Sequence, residues 1–140
     1  MVRQITYEMC KTMTDFLVRR GEEMGKPLAI VITDDGGSVV SATLMDGFHV
    51  RGVQFAYHKA YTSAKMTRTG REVRELCAKD GNDVSVFCDP NMTTLIGSTP
   101  IRNGKGDVIG AVGVSGATSD EDQELCDLAA ELARGGPCAI

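Results

Sequence analysis

The sequence predicts an α+β fold in which helices flank a central antiparallel sheet of about five strands. Helical hydrophobic spacing alternates along the chain with short apolar runs, and two glycine-rich turns separate adjacent runs. The predicted order is therefore one helix, two strands, two helices, two or three strands and a final helix. Because a chain of 140 residues is the usual size of one domain, we expect residues 1–140 to form a single domain.

The composition and net charge of the chain limit the kinds of molecule that it is expected to bind. The net charge is −4, the pI is about 5.1, and no Lys/Arg cluster exceeds a pair, which argues against nucleic acid and membrane surfaces. The N-terminus lacks the apolar stretch of a signal peptide. The cysteines form no C-x-x-C pair, so we expect a reduced, cytoplasmic protein without a zinc site or a disulfide framework; they are Cys10, Cys77, Cys88, Cys126 and Cys138.

The first half of the chain predicts a helix followed by a β-hairpin. Thr6 is a suitable N-cap, and Gly25 with Pro27 beyond it ends the helix. The apolar run at 28–33 predicts a buried strand. Two aspartates and two glycines at 34–37 then turn the chain into a second strand, at 38–45.

The second half predicts three more helices and a second hairpin. Residues 49–66 have helical spacing, and Thr69 with Glu72 forms a capping box that opens a short third helix. Residues 84–97 fit a loop or edge structure. The turn at 103–106 separates two strands, and a last helix spans about 120–134.

The glycines at 110, 113 and 116 raise the question of a phosphate-binding loop. Their strand follows a hairpin turn, so it is not the first strand of a nucleotide-binding βαβ unit. The next helix opens with three acidic residues at 120–122, which complement the helix dipole and repel phosphate. We therefore expect these glycines to serve close packing, with backbone N–H groups of Gly113 to Gly116 lining a small pocket.

Four stretches together resemble a known family. They are "TDDGGSVVSATLMDG", "HKAYTSA", "GSTPI" and "GDVIGAVGVSGATSDEDQELC". In this order they are similar to the GlcG/HbpS family, a haem-degrading-type domain that also forms the C-terminal part of PduO proteins. The resemblance implies a profilin-like fold, assembly into homo-oligomers and a place beside small-molecule catabolism. It also implies haem binding in several members.

The helix at 49–66 has two faces of different character. One is a core stripe, and the opposite face carries Phe55, Lys59, Thr62 and Met66. A lysine and a hydroxyl between apolar residues can hold a carboxylate in a pocket or subunit interface. The alternative is a lysine that packs along an interface. The resemblance favours the site, and the second apolar-containing face predicts a homo-oligomer with the ligand pocket near a subunit boundary.

Other polar residues complete the hypothetical site. Lys59 and Asp46 are candidate catalytic residues, with Asp46 orienting Lys59 or acting as a base; the alternative for Asp46 is a simple turn residue. Ser115 is interpreted as a hydrogen-bond donor rather than a nucleophile. The candidate ligand-binding residues are Met45, Phe55, Thr62, Ser98, Thr99, Pro100, Gly113, Ser115 and Gly116.

The histidines argue against a metal site within one chain. His49 and His58, if both on one helix, would point to opposite faces. Haem-binding relatives resemble one another in a histidine on the first helix, and residues 1–30 here contain none. Cys10 or a methionine would be the substitute ligand, so haem remains open as a cofactor.

The sequence therefore supports three hypotheses. The first is a cytoplasmic protein, accessory to a catabolic pathway, that binds an anionic organic metabolite between the helix at 49–66 and the strand at 108–116. The second is an enzyme, a hydrolase, deaminase or isomerase, acting on a small unsaturated carboxylate in the same pocket. The third is a haem-binding accessory protein. From sequence alone, we expect Lys59→Ala to fold normally and to weaken ligand binding or turnover by more than about tenfold.

Overall fold

The computed structural model describes residues 3–135, and its elements follow the predicted order. The helices are α1 (Tyr7–Met24), α2 (Arg51–Met66), α3 (Gly70–Asp80) and α4 (Ser119–Gly135). The strands are β1 (Ala29–Asp34), β2 (Val39–Leu44), β3 (Ser98–Arg102) and β4 (Val108–Ser115), with a 3₁₀ turn at Val84–Phe87. The predicted α+β class is confirmed.

The predicted helix ends are confirmed in detail. The Thr6 hydroxyl oxygen accepts a hydrogen bond from the Met9 N–H at 3.1 Å, and Gly25 ends α1 in the left-handed region at φ 67°. Thr69 and Glu72 form the reciprocal capping box that opens α3. Each cap satisfies backbone groups that a helix terminus leaves unpaired.

The sheet has four antiparallel strands in the order β2-β1-β4-β3, rather than about five. The candidate fifth strand, within 84–97, forms the 3₁₀ turn and a loop. Local side-chain hydrogen bonds explain this, because Asp83 caps the Ser85 N–H and Asp89 accepts from the Asn91 N–H. Such bonds favour turns over a strand ladder.

Helices cover both faces of the sheet. Along β1, Ile30 and Ile32 face α1 and α4 in one apolar core, whereas Ala29 and Val31 face α2 in a second. The two-residue period of a strand makes this division necessary. Alternate residues along each strand therefore face different helices, and this alternation decides on which side of the sheet a side chain lies.

Gly113 brings α2 directly onto β4. A Cβ atom at Gly113 would lie 2.3 Å from the Ala56 carbonyl oxygen and 2.8 Å from the Ala60 nitrogen. Gly116 is similarly enclosed, with the Pro27 carbonyl oxygen 2.4 Å from its hypothetical Cβ. The prediction that these glycines serve close packing is confirmed.

Two further properties concern the described part of the chain. Between residues 3 and 135, no helix is long and apolar enough to cross a bilayer. The thiols of Cys10, Cys77, Cys88 and Cys126 are free, and Cys138 lies outside the described residues.

Candidate functional site

Lys59 is buried and paired, rather than exposed on an open face of α2. The residue is only 6% exposed. The ammonium donates to the Val114 carbonyl oxygen at 2.8 Å and to Asp122 Oδ2 at 3.3 Å. Two of its three N–H donors therefore have partners, and the charge is neutralised within the fold.

Asp122 joins the first turn of α4 to the end of β4. Its Oδ1 accepts a hydrogen bond from the Ala117 N–H at 3.1 Å, while Oδ2 faces Lys59. Burial raises the pKa of the Asp122 carboxyl, although the Lys59 charge and the Ala117 hydrogen bond act in the opposite direction. The result is a buried carboxylate that accepts a proton more readily than an ordinary aspartate does.

Gly97 closes the space around this ion pair. A Cβ atom there would lie 2.8 Å from the Asp122 Cβ and 3.0 Å from the Lys59 Nζ. The Gly97 carbonyl oxygen also accepts from the Cys126 thiol at 3.3 Å, and burial raises the pKa of that thiol well above its usual value. Cys126 is therefore a protonated core residue rather than a nucleophile.

Ser115 carries a buried hydroxyl that lacks a partner in the fold. The residue is 5% exposed, and its Oγ makes no hydrogen bond with any described residue. It pairs with Ala29 in the sheet, so its side chain is on the α2 side. The carbonyl oxygen of the preceding residue, Val114, accepts the hydrogen bond from the Lys59 ammonium. An unpaired hydroxyl therefore lies one residue from the ion pair.

Residues 89–97 form a strap across α2. The Tyr61 hydroxyl donates to Asp89 at 2.7 Å, and the Thr93 N–H donates to the Thr62 hydroxyl oxygen at 2.9 Å. The His58 Nδ1 lies 2.9 Å from the Asn91 carbonyl oxygen and must carry the proton in that bond. The strap explains why Lys59 and Thr62 are buried on the helix face that looked open from the sequence.

Several predicted residues do meet at one end of the sheet. The register places Ser115 beside Ala29, Ala29 beside Leu44, and Gly113 beside Ser98. Gly116 directly follows β4 at this same end, whereas the Met45 side chain lies on the opposite sheet face, where its Sδ accepts a hydrogen bond from the Leu28 N–H at 3.3 Å. Phe55, 39% exposed, offers an apolar side chain on α2. Ser98 and Pro100 share the sheet face of Gly113 and are buried.

Other predicted residues are placed differently. Asp46 is exposed in the turn after β2, and the carboxylate that pairs with Lys59 is Asp122 instead. Thr99 lies on the opposite sheet face, where its hydroxyl donates to Asp127 of α4 at 2.6 Å. The Thr62 hydroxyl donates to the His58 carbonyl oxygen and accepts from the strap, so it is already satisfied.

The residues present do not fit a haem site with two imidazole ligands. Helix α2 begins at Arg51, so His49 precedes it in an exposed loop, and the expectation that both histidines share one helix was wrong. His58 is bound to the strap. Burial raises the pKa of the Cys10 thiol, which disfavours the thiolate that would ligate iron. Within residues 3–135, no cluster of three or more His, Cys, Asp or Glu is arranged to hold a metal ion.

The three-layer α+β architecture, with helices on both faces of an antiparallel sheet, has solved representatives. Residues 5–131 match the family model described as "Haem degrading protein HbpS-like". The chain therefore belongs to the HbpS-like family, and the resemblance found in the sequence is confirmed.

Known relatives agree over nearly the whole chain. An uncharacterized 15.0 kDa protein in the dhaT-dhaS intergenic region of Citrobacter freundii is 28% identical over 131 residues, covering 91% of both chains. The crystal structure of Klebsiella pneumoniae ORFY has a TM-score of 0.83 at 23% identity, covering 94% of this chain and 91% of that one. The PduOC:heme complex has a TM-score of 0.80 at 19% identity, covering 91% and 93%. The two structural matches show a shared fold.

Proposed function

We propose that this protein binds a small organic carboxylate beside Lys59 and Ser115. The buried Ser115 hydroxyl, with no hydrogen-bond partner among the described residues, is the observation that carries the proposal. Leaving such a group unpaired costs about 1–3 kcal/mol. Unsatisfied buried groups are few in native proteins, and a ligand that accepts the missing bond accounts for this one.

The donors around this position favour an acceptor-only ligand group. The Lys59 ammonium has one N–H left after its bonds to Val114 and Asp122, and the Ser115 hydroxyl can donate as well. A carboxylate has two oxygens and no donor, so it can accept both bonds. Phe55, exposed on α2, supplies apolar contact for the remainder of a small metabolite.

Ser115→Ala tests the proposal in two ways at once. Because the variant removes an unpaired hydroxyl, we expect its unliganded free energy of unfolding to stay the same or to rise by up to about 1 kcal/mol. We also expect it to lose the rise in melting temperature that a binding carboxylate gives the wild-type protein. The measurement is a thermal-shift panel of pyruvate, crotonate and fumarate at about 10 mM, with glycerol as the uncharged comparison.

Ser85→Ala is the matched control, since Ser85 lies exposed in the 3₁₀ turn. It should keep the wild-type response to every compound. A carboxylate that stabilises wild type and Ser115→Ala equally would contradict the proposed site.

A second candidate function is catalysis in the same position. The raised pKa of Asp122 beside the Lys59 ammonium is the observation that favours it, because such a pair can move a proton. The reaction would be hydrolysis, deamination or isomerisation of a small unsaturated carboxylate. Isomerisation is the step that crotonate can report, because moving its C=C bond out of conjugation with the carboxylate lowers the ultraviolet absorbance with no other reactant. A loss of crotonate absorbance on incubation with the protein would support turnover, and unchanged absorbance with binding would support the first proposal.

We also propose that the protein is a homo-oligomer and an accessory to small-molecule catabolism in the cytoplasm. Val39 and Leu44 are exposed on the α2 side of edge strand β2. Strand β2 contains no charged residue, which leaves its edge suited to a second copy. Light scattering should give a multiple of the 15.0 kDa chain mass at micromolar concentration, and a monomer mass would contradict the assembly.

A further inference from the structure

A cleft between α1 and β2 lies on the sheet face opposite α2. Its volume is about 290 Å³, just below the usual range of about 300–1,000 Å³ for ligand pockets, so it suits a small ligand. Tyr7, Cys10 and Thr14 line it from α1, and Val40 and Ser41 line it from β2. None of these residues belongs to the site around Lys59 and Ser115.

The charged groups of the cleft leave one positive charge uncompensated. Lys11 donates to Asp15 at 2.9 Å, so these two charges neutralise each other. The guanidinium of Arg3 also lines the cleft, and no carboxylate of residues 3–135 lies within 4.0 Å of it. Burial raises the pKa of the Cys10 thiol, which therefore adds no negative charge. The cleft thus favours a monoanion.

The remaining groups suit an aromatic body. The Tyr7 side chain is 68% exposed, so its ring has a free face for stacking. Val40 is half-buried and gives the opposite wall an apolar surface. The Thr14 oxygen is buried and has no hydrogen-bond partner among the described residues. As at Ser115, an unpaired hydroxyl indicates a place where a ligand oxygen can bind.

We propose that this cleft is a second ligand site, which takes a small aromatic monocarboxylate. The carboxylate pairs with Arg3 and accepts from the Thr14 hydroxyl, and the ring stacks on Tyr7. The inference is independent of the site at Ser115, because the two lie on opposite faces of the sheet.

Isothermal titration calorimetry with benzoate tests the proposal on the full-length protein. We expect wild type to bind benzoate and not the uncharged analogue benzyl alcohol. Arg3→Gln should weaken benzoate binding by about tenfold or more, since it removes a charge-assisted contact. Thr14→Val keeps the side-chain shape, so it should fold normally and weaken binding by about threefold or more. Lys105→Gln, in the exposed turn before β4, is the charge-matched control and should bind like wild type.

Three outcomes would overturn the second site. One is no heat from benzoate at about 10 mM, and another is equal affinity in wild type and Arg3→Gln. The third is binding that Ser115→Ala abolishes and Arg3→Gln leaves intact, which would assign benzoate to the site beside Lys59. If none of pyruvate, crotonate and fumarate stabilises the wild-type protein while benzoate still binds, the proposed function is contradicted and the cleft proposal stands.

Discussion

Lys59→Ala should lower the free energy of unfolding by about 3–5 kcal/mol, the cost of removing one partner of a buried ion pair. Asp122 is only 3% exposed, so the variant would leave its carboxylate buried beside an empty volume. From sequence alone we expected this variant to fold normally, and the pairing with Asp122 reverses that expectation. Urea unfolding followed by circular dichroism measures the change.

A matched double variant separates the ion pair from simple packing. Lys59→Met with Asp122→Leu removes both charges and keeps much of the side-chain volume, so it should be far more stable than Lys59→Ala. If Lys59→Ala instead loses less than about 1 kcal/mol, the pair is not the buried contact described above.

Gly113→Ala should also be strongly damaging and lower the free energy of unfolding by about 3 kcal/mol or more. The added methyl group would lie 2.3 Å from the Ala56 carbonyl oxygen and 2.8 Å from the Ala60 nitrogen. Both are backbone atoms of α2, which cannot move aside as a flexible side chain can. The helix would therefore have to shift away from β4.

Gly104→Ala is the control for this prediction. Nothing lies within 4 Å of a Cβ at that position, so the free energy of unfolding of the variant should be within about 1 kcal/mol of the wild-type value. Thermal unfolding of the three proteins in parallel gives the comparison. Equal melting temperatures for Gly113→Ala and wild type would show that α2 is not packed on β4 as described.

Local chemistry made most of the fold predictable. The Thr69 capping box and the Gly25 cap are set by residues close in sequence, and both are confirmed. The segment at 84–97 was less certain because its apolar residues fit a strand, whereas Asp83 and Asp89 bind nearby backbone groups and form turns. The strap that this segment forms depends on α2, far away in sequence.

The site was predictable only in part. Lys59 and Ser115 were candidates from the sequence, but Asp122 looked like one of the acidic residues that complement the dipole of α4. Its pairing with Lys59, 63 positions away, depends on the packing of α4 against β4. The orientation of Thr99 could have been predicted from the sequence. Side chains alternate along a strand, so Thr99 must face away from its neighbours Ser98 and Pro100.

The most direct test of the binding site is a nuclear magnetic resonance titration of the ¹⁵N-labelled protein. The ligand is the carboxylate of the thermal-shift panel that stabilises the protein most. We expect the largest amide shifts to fall on Gly113, Ser115 and Gly116, at the end of β4. Shifts confined to other parts of the chain, or a panel in which no carboxylate binds, would contradict it.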